Sequence, residues 1–533
     1  MKAIHPYFKN KHWDSNANVF YLLGQVYVDQ TKVSPKALKE SFLTNDYCAE
    51  EFCQKLNKLN GFYALVRQED NCLFAAVDHI RSIPLFYGKN DVHFYISDDA
   101  EWVRQQVGDQ EMDQLAREEF QLAGYVTGRD TLFPNVKQLQ AGELLIAKEG
   151  NDDVDIKTHR YYRFLHNEPD SYNEEVLGEQ LDQVAVDSIK RLIDYADGRQ
   201  IVVPLSGGYD SRLIVTLLKR LEYDNILTFT YGVPGNKESV YSKKIADALG
   251  LEWHFVEYSN ELWRNAWQTE ERWQYQKWAS GWASIAHVQD WLAVKLMKEE
   301  GVIDPDCVFV PGHSGDFVAG SHIPQKAFTQ TSFSMGAVSD SLFADHYTLA
   351  PIKFVTKNNG FWKSRVESLL SDFVVSEAWQ YADAYESWDW QERQAKFICN
   401  SVRVYEFFGY DWWMPLWDAE FMRFWEDVPL ELRKRRHLGV VYVQREFSKL
   451  HNQEIMSAQS RDYFSLLCKV LARIRNIIIK YIPFVRPHIP KDHLARYSRF
   501  PAKKQGQLID SGFTLVGIVC FFFLDDFSKS NEK

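Results

Sequence analysis

Short apolar runs separated by polar turns dominate the first third of the chain. Val19-Phe-Tyr-Leu-Leu, Gly61-Phe-Tyr-Ala-Leu-Val, Cys72-Leu-Phe-Ala-Ala-Val and Val92-His-Phe-Tyr-Ile-Ser are rich in aromatic and β-branched residues, and polar stretches such as 67–71 divide them. Residues 1–165 therefore read as a mainly antiparallel β domain. From Asn173 the pattern changes to long amphipathic helical segments that alternate with apolar strands at 201–205, 226–231 and 307–311. That alternation predicts a parallel α/β sheet. Beyond about residue 370 the periodicity is helical and rich in tryptophan. The last apolar run, Phe513 to Leu524, is broken by Thr514 and Gly517. It falls short of the roughly 18–20 residues that span a bilayer, so it predicts a strand or a buried helix.

The junction Ile201-Val-Val-Pro-Leu-Ser-Gly-Gly-Tyr-Asp-Ser-Arg212 joins an apolar strand to a helix, and Leu213, Ile214, Leu217 and Leu218 give that helix its apolar stripe. A loop of this kind can wrap backbone N–H groups around phosphate, with the positive end of the helix aimed at the same place. Gly207 and Gly208 permit close approach, the hydroxyls of Ser206 and Ser211 add donors, and Asp210 can hold Mg²⁺ against phosphate oxygens. The stretch lacks both a Gly-Lys-Ser/Thr ending and three spaced glycines, which argues against γ-phosphate and hydride transfer. Cleavage of ATP between its α and β phosphates remains.

A length of 533 residues predicts two or three domains. The net charge of −12 argues against a nucleic-acid surface. The start, Met-Lys-Ala-Ile-His-Pro-Tyr, has no apolar signal segment and predicts a cytoplasmic protein. The seven cysteines form no Cys-x-x-Cys pair and no zinc spacing, so they read as reduced thiols. Between Lys469 and Lys504 ten Lys/Arg face a single acidic residue, Asp492. The preferred reading is that residues 466–504 cover the acidic remainder of the protein, with contact to an anionic membrane surface as the alternative.

The loop resembles the Ser-Gly-Gly-x-Asp-Ser motif of the ATP-pyrophosphatase group, and the chain as a whole resembles the asparagine synthetase family. Asn60-Gly61-Phe62-Tyr63-Ala64 is similar to the Asn-Gly-x-Phe-Ala strand of the family's glutaminase domain, and Asp78 with Pro84-Leu85-Phe86-Tyr87 to its Asp…Pro-Leu-Tyr-Tyr hairpin. Tyr161-Tyr162-Arg163-Phe164 sits at the entry to the synthetase domain, and Glu238, Ala246 and Leu249-Gly250 resemble the helix after its second strand. Pro311-Gly-His-Ser-Gly-Asp-Phe-Val-Ala-Gly320 resembles the Ser-Gly-Glu-Gly-x-Asp-Glu-x-Phe-Gly-Gly loop, and Arg403 with Met414-Pro-Leu-Trp-Asp418 the later Arg…Pro-Phe-Leu-Asp segment.

The resemblance implies an Ntn-hydrolase-like antiparallel β domain at 1–165. It further implies a parallel-sheet ATP-pyrophosphatase domain at 166–465 and a basic extension at 466–533. It implies ATP and Mg²⁺ as cofactors, the metal held by Asp210 and Asp316, with Leu205, Tyr231 and Gly312 enclosing the nucleotide. The implied reaction adenylates a carboxylate, aspartate by default, and forms an amide with ammonia or an amine. The alternative for Asp316 is a helix cap.

Three positions depart from the family pattern. Residue 2 is lysine where glutamine-hydrolysing members expose a cysteine nucleophile, so glutaminase activity is not expected. His313 replaces the loop glutamate, and either accepts a proton from the attacking amine or serves only as a neighbour of the site. Arg461 stands nearest to the family's late lysine, with Lys469 as a rival. These changes leave three further readings open. One is a β-lactam or lasso-peptide cyclase-like ligase, and another a non-catalytic nucleotide-binding relative. The third is a sulfurtransferase, for which Cys307, within a predicted strand, is a poor nucleophile.

Overall fold

The computed structural model describes residues 4–10, 12–16, 20–42, 48–69, 71–91, 93–151, 153–451 and 499–531. The first part is a sandwich of two sheets. The seven-stranded sheet runs in the order Val154–Arg160, Glu143–Glu149, Cys72–Val77, Asn60–Gln68, Phe20–Val28 and Asp14–Asn16, with Thr31–Lys32 also paired to Phe20–Val28. All its pairings are antiparallel. The four-stranded sheet runs Ile4–Tyr7, Phe94–Ser97, Phe86–Lys89 and Val136–Gln138. Its first pair is parallel, the one exception to the antiparallel pattern expected from sequence.

Period-two alternation sends the side chains of Asn60–Gln68 to opposite faces, and both faces are covered. Phe62, Ala64 and Val66 join the main core, which the other sheet also lines through Phe86, Phe94 and Ile96. Tyr63 and Leu65 point the other way, into a second cluster closed by Leu38, Phe42, Phe52 and Leu56 from the helices Pro35–Phe42 and Ala49–Leu56. Burial on both faces explains why this strand reads as continuously apolar.

The second part holds a five-stranded parallel sheet in the order Glu252–Glu257, Ile226–Gly232, Ile201–Pro204, Val308–Phe309 and Asp411–Trp412. The two outer strands went unnoticed in the sequence: Glu252–Glu257 is half exposed and carries charge at both ends, and Asp411–Trp412 has only two residues. The chain moves outward from Ile201–Pro204 through the next two strands, then returns to place Val308–Phe309 on its other side. The order therefore reverses at Ile201–Pro204, and a crevice forms outside the carboxyl ends of this strand and Val308–Phe309.

A buried ion pair ties the two parts together. Arg191, on the helix Glu174–Ala196, donates from Nε and Nη2 to both carboxylate oxygens of Asp418 at 2.6 and 2.7 Å. Asn60 Nδ2 reaches the same oxygens at 3.1 Å each. The C-terminal apolar run forms the helix Leu515–Asn531, which packs on Gln114–Ala123 of the sandwich with Phe120 and Phe523 stacked at 5.7 Å. Among the described residues, no helix is long and apolar enough to cross a membrane.

Candidate functional site

Buried Ile201, Val202 and Val203 pin the first strand in the sheet, and Leu205 extends it through a hydrogen bond to Phe229 O at 2.8 Å. The chain then turns through Ser206–Tyr209 into the helix Asp210–Arg220. Within the turn Ser206 N donates to Ser211 Oγ at 3.2 Å and Gly208 N to Ser206 Oγ at 3.1 Å. Gly207 N donates to the Glu238 carboxylate at 2.8 Å. One backbone donor of the loop thus meets an anionic oxygen, while the other two are taken by the loop's own hydroxyls.

The loop after the third-region strand Val308–Phe309 folds onto this turn. A Cβ on Gly312 would stand 2.7 Å from Ser211 N, and one on Gly315 would stand 3.1 Å from Asp210 Oδ1. At Gly312 only glycine lets the two backbones approach this closely. The approach brings Asp316 beside Asp210, whose carboxylate accepts the Asp316 backbone N–H. Burial and the neighbouring Asp316 charge push the Asp210 carboxyl up to about 8. Among the described residues, Arg436 pairs with Asp210, its Nη1 at 3.9 Å. Asp316 sits in the first turn of the short helix Gly315–Val318 and accepts Ser321 Oγ at 3.1 Å. The N-cap of that helix is Ser314, and Asp316 lies inside its first turn. Two adjacent carboxylates beside a loop of N–H donors are the hard-oxygen set that Mg²⁺ accepts when phosphate completes its shell. Among the described residues no group of three or more His, Cys, Asp or Glu forms a metal cage.

His313 follows Gly312 and meets Ser401, with Nε2 and Oγ 2.6 Å apart. Burial and the nearby His287 push its imidazole down to about 4, so it is neutral at neutral pH. Tyr231 stacks on Tyr258 at 5.2 Å, and its hydroxyl donates to Asp290, which also accepts Tyr405 OH at 3.0 Å. Tyr231 can therefore offer a ring face and backbone, while its hydroxyl is engaged. Arg461 lies outside the described residues, as do Lys469 and the basic stretch up to residue 498.

Sequence reasoning missed four residues here: Asp290, Arg436, His322 and Asp389. His322 Nδ1 lies 2.6 Å from Asp389, and its Nε2 is 3.9 Å from Asp316. Burial opposes charge on His322, but Asp389 outweighs it and raises the imidazole above its usual value. None of the four belongs to a spaced motif, since their placement depends on long-range packing.

The fold and site define a two-part α/β protein with a phosphate-type loop at the switch point of its parallel sheet. Residues 181–479 match the family model described as Asparagine synthase, and residues 47–162 match the Glutamine amidotransferase domain. The chain belongs to the asparagine synthase family. No curated protein sequence matches it. Among solved structures, an NH3-dependent NAD synthetase from Campylobacter jejuni subsp. jejuni is 16% identical over 28% of this chain and 62% of that one, with a TM-score of 0.20. An allosteric regulatory enzyme of purine biosynthesis is 14% identical over 57% of each chain, TM-score 0.18. A glutamine phosphoribosylpyrophosphate amidotransferase from B. subtilis is 12% identical over 56% of this chain and 62% of that one, TM-score 0.18. The chain spans 57% to 62% of the length of these relatives.

Proposed function

We propose that the protein is an ATP-dependent, AMP-forming carbon–nitrogen ligase acting on small molecules in the cytoplasm. The observation that carries this reading is the apposition of Asp210 and Asp316 across the Gly312–Ser211 contact, at the mouth of the Ser206–Ser211 loop. In this reading the loop N–H groups and the Ser206 and Ser211 hydroxyls bind pyrophosphate oxygens, assisted by the helix N-terminus. Asp210 and Asp316 would hold Mg²⁺, which neutralises phosphate charge when bound. Leu205, Tyr231 and Gly312 would enclose the nucleotide.

A carboxylate oxygen of the substrate, aspartate by default, bonds to the α-phosphorus as the bond to the leaving pyrophosphate breaks. Ammonia or an amine then bonds to the acyl carbon, and AMP departs. The neutral imidazole of His313 is in the form that can accept the amine's proton, provided the Ser401 hydroxyl donates elsewhere. Lys2 supplies no thiol, so residues 1–165 would act as a non-catalytic partner of the ligase part at 166–465, with 466–533 as an extension. Screening amino acids and small carboxylates, each with ammonia, for substrate-dependent pyrophosphate release tests the proposal. Release that needs one carboxylate supports it; ATP binding with no release under any pair would favour a non-catalytic relative.

A further inference from the structure

A cleft of about 740 Å³ opens between the β sandwich and the amino edge of the parallel sheet, at the opposite end of the strands from the Ser206–Ser211 loop. Its position is fixed by Arg199, which precedes the strand Ile201–Pro204, and by Tyr410 and Asp411 at the start of the edge strand. Phe62, Trp412 and Trp413 give it an aromatic wall. Past Trp278 and Arg403 the cleft continues into a recess lined by Arg81, Ser280, Ser284 and Asn400. The cleft has room for a small-molecule ligand, and the recess beyond it adds about 20 Å³.

Two guanidinium groups, Arg81 and Arg403, and one carboxylate, Asp98, line the recess. Arg81 and Arg403 are only 4% and 6% exposed. Arg403 meets Glu406 at 2.6 Å and Ser82 O at 2.7 Å, while its Nε is buried without a partner. Arg81 donates only from Nε, to Leu139 O at 2.9 Å, and its two terminal nitrogens find no hydrogen-bond acceptor among the described residues. The charges of Glu392 and Asp78 favour the Arg81 cation, and three acidic groups of the cleft have further partners. Asp98 accepts the amides of Lys9 and Asn10 and the Trp13 indole, Asp411 pairs with Arg199 at 2.5 Å, and Glu406 also takes Trp412 Nε1 at 2.7 Å. Burial, then the Arg403 charge, push the Arg81 guanidinium down to about 9. Arg81 also adopts φ +56°, a left-handed backbone that costs a long side chain energy and that glycine would take freely.

A guanidinium fork that lines a recess and has no protein acceptor is free to meet an anion there. We propose that this recess is a second ligand site, independent of the nucleotide reading above, for a small organic anion. Its carboxylate or phosphate group would bridge Arg81 and Arg403, and its apolar body would lie against Trp278 and the aromatic wall. Planar forks suit both oxyanions, and each charge-assisted bond is strong when water is excluded.

Calorimetric titration of the full chain with inorganic phosphate and with phenylacetate, at fixed ionic strength, tests the site. We expect saturable one-to-one binding of at least one probe; a preference for phosphate assigns phosphorylated ligands, and a preference for phenylacetate assigns carboxylates. Arg81→Gly removes the fork and relieves the backbone, so it should fold and bind ~10- to 100-fold more weakly. Arg81→Met, which keeps the bulk, serves as a second variant and should lose affinity alike. Absence of saturable binding by wild type overturns the proposal. So does undiminished binding in both variants, which would place the anion on the Ser206–Ser211 loop.

Discussion

Gly312 lies so near Ser211 that a Cβ at position 312 would stand 2.7 Å from the Ser211 amide nitrogen. Backbone cannot swing aside as a flexible side chain can, so Gly312→Ala must move either the Gly312–Asp316 loop or the helix start. We expect a loss of ~1–3 kcal/mol and a disproportionate fall in pyrophosphate release. Gly336→Ala, in a helix where the new Cβ meets only Ser334 Oγ at 3.9 Å, should be neutral or stabilising. Equal behaviour of the two variants in melting and turnover would show that the loop contact is not needed.

Arg191 and Asp418 are 1% and 2% exposed, so their charges meet each other in place of water. Arg191→Met leaves Asp418 with Asn60 and the amides of Glu420 and Phe421 as partners. Breaking such a pair costs roughly 3–5 kcal/mol. Combining Arg191→Met with Asp418→Asn should recover part of that loss, measured by denaturant midpoint. A double variant no better than Arg191→Met would mean the buried charge is not the cause.

Acid sensitivity follows from His346. Burial pushes its imidazole down to about 4 from an ordinary 6.5. Between those values the unfolded chain binds the proton and the folded chain does not, so stability is complete above pH 6.5 and falls as pH drops toward 4. The contribution is on the order of 3 kcal/mol. His313, also pushed down to about 4, acts with the same sign. His346→Phe should flatten the pH dependence of urea unfolding across this window while Tyr385 keeps its bond to Asp345 at 2.9 Å. An unchanged slope would remove His346 as a cause.

Much of this was legible in the chain because the signals are local. Ile201–Pro204 is a buried strand flanked by a glycine turn and an amphipathic helix, and each part announces itself within twelve residues. Asp316 was legible only through resemblance, since its approach to Asp210 depends on two glycines from a loop a hundred residues away. Glu252–Glu257 and Asp411–Trp412 were not legible: an edge strand need not be apolar, and two residues carry no period. The His322–Asp389 pair and the Arg81–Arg403 recess left no local trace either, because charge burial is decided by packing between distant segments.

Nitrogen supply gives a further outcome. The family resemblance needs a thiol at residue 2, where this chain has lysine. Asn60, in the strand that resembles the glutaminase domain, gives its amide to Asp418 instead. Ammonia or a substrate amine should therefore support product formation, and glutamine should release no glutamate in step with AMP. Matched glutamate and AMP formation would reveal an unrecognised nucleophile.

The most direct measurement is exchange of labelled pyrophosphate into ATP, with Mg²⁺ and the carboxylate identified by the screen. Asp210 and Asp316 lie at the ligand face of the site, so replacing either by alanine should leave a folded protein. The account predicts carboxylate-dependent exchange by the wild type and a loss of ~10²–10³-fold in Asp210→Ala and in Asp316→Ala. Exchange at the wild-type rate in folded Asp210→Ala would contradict it.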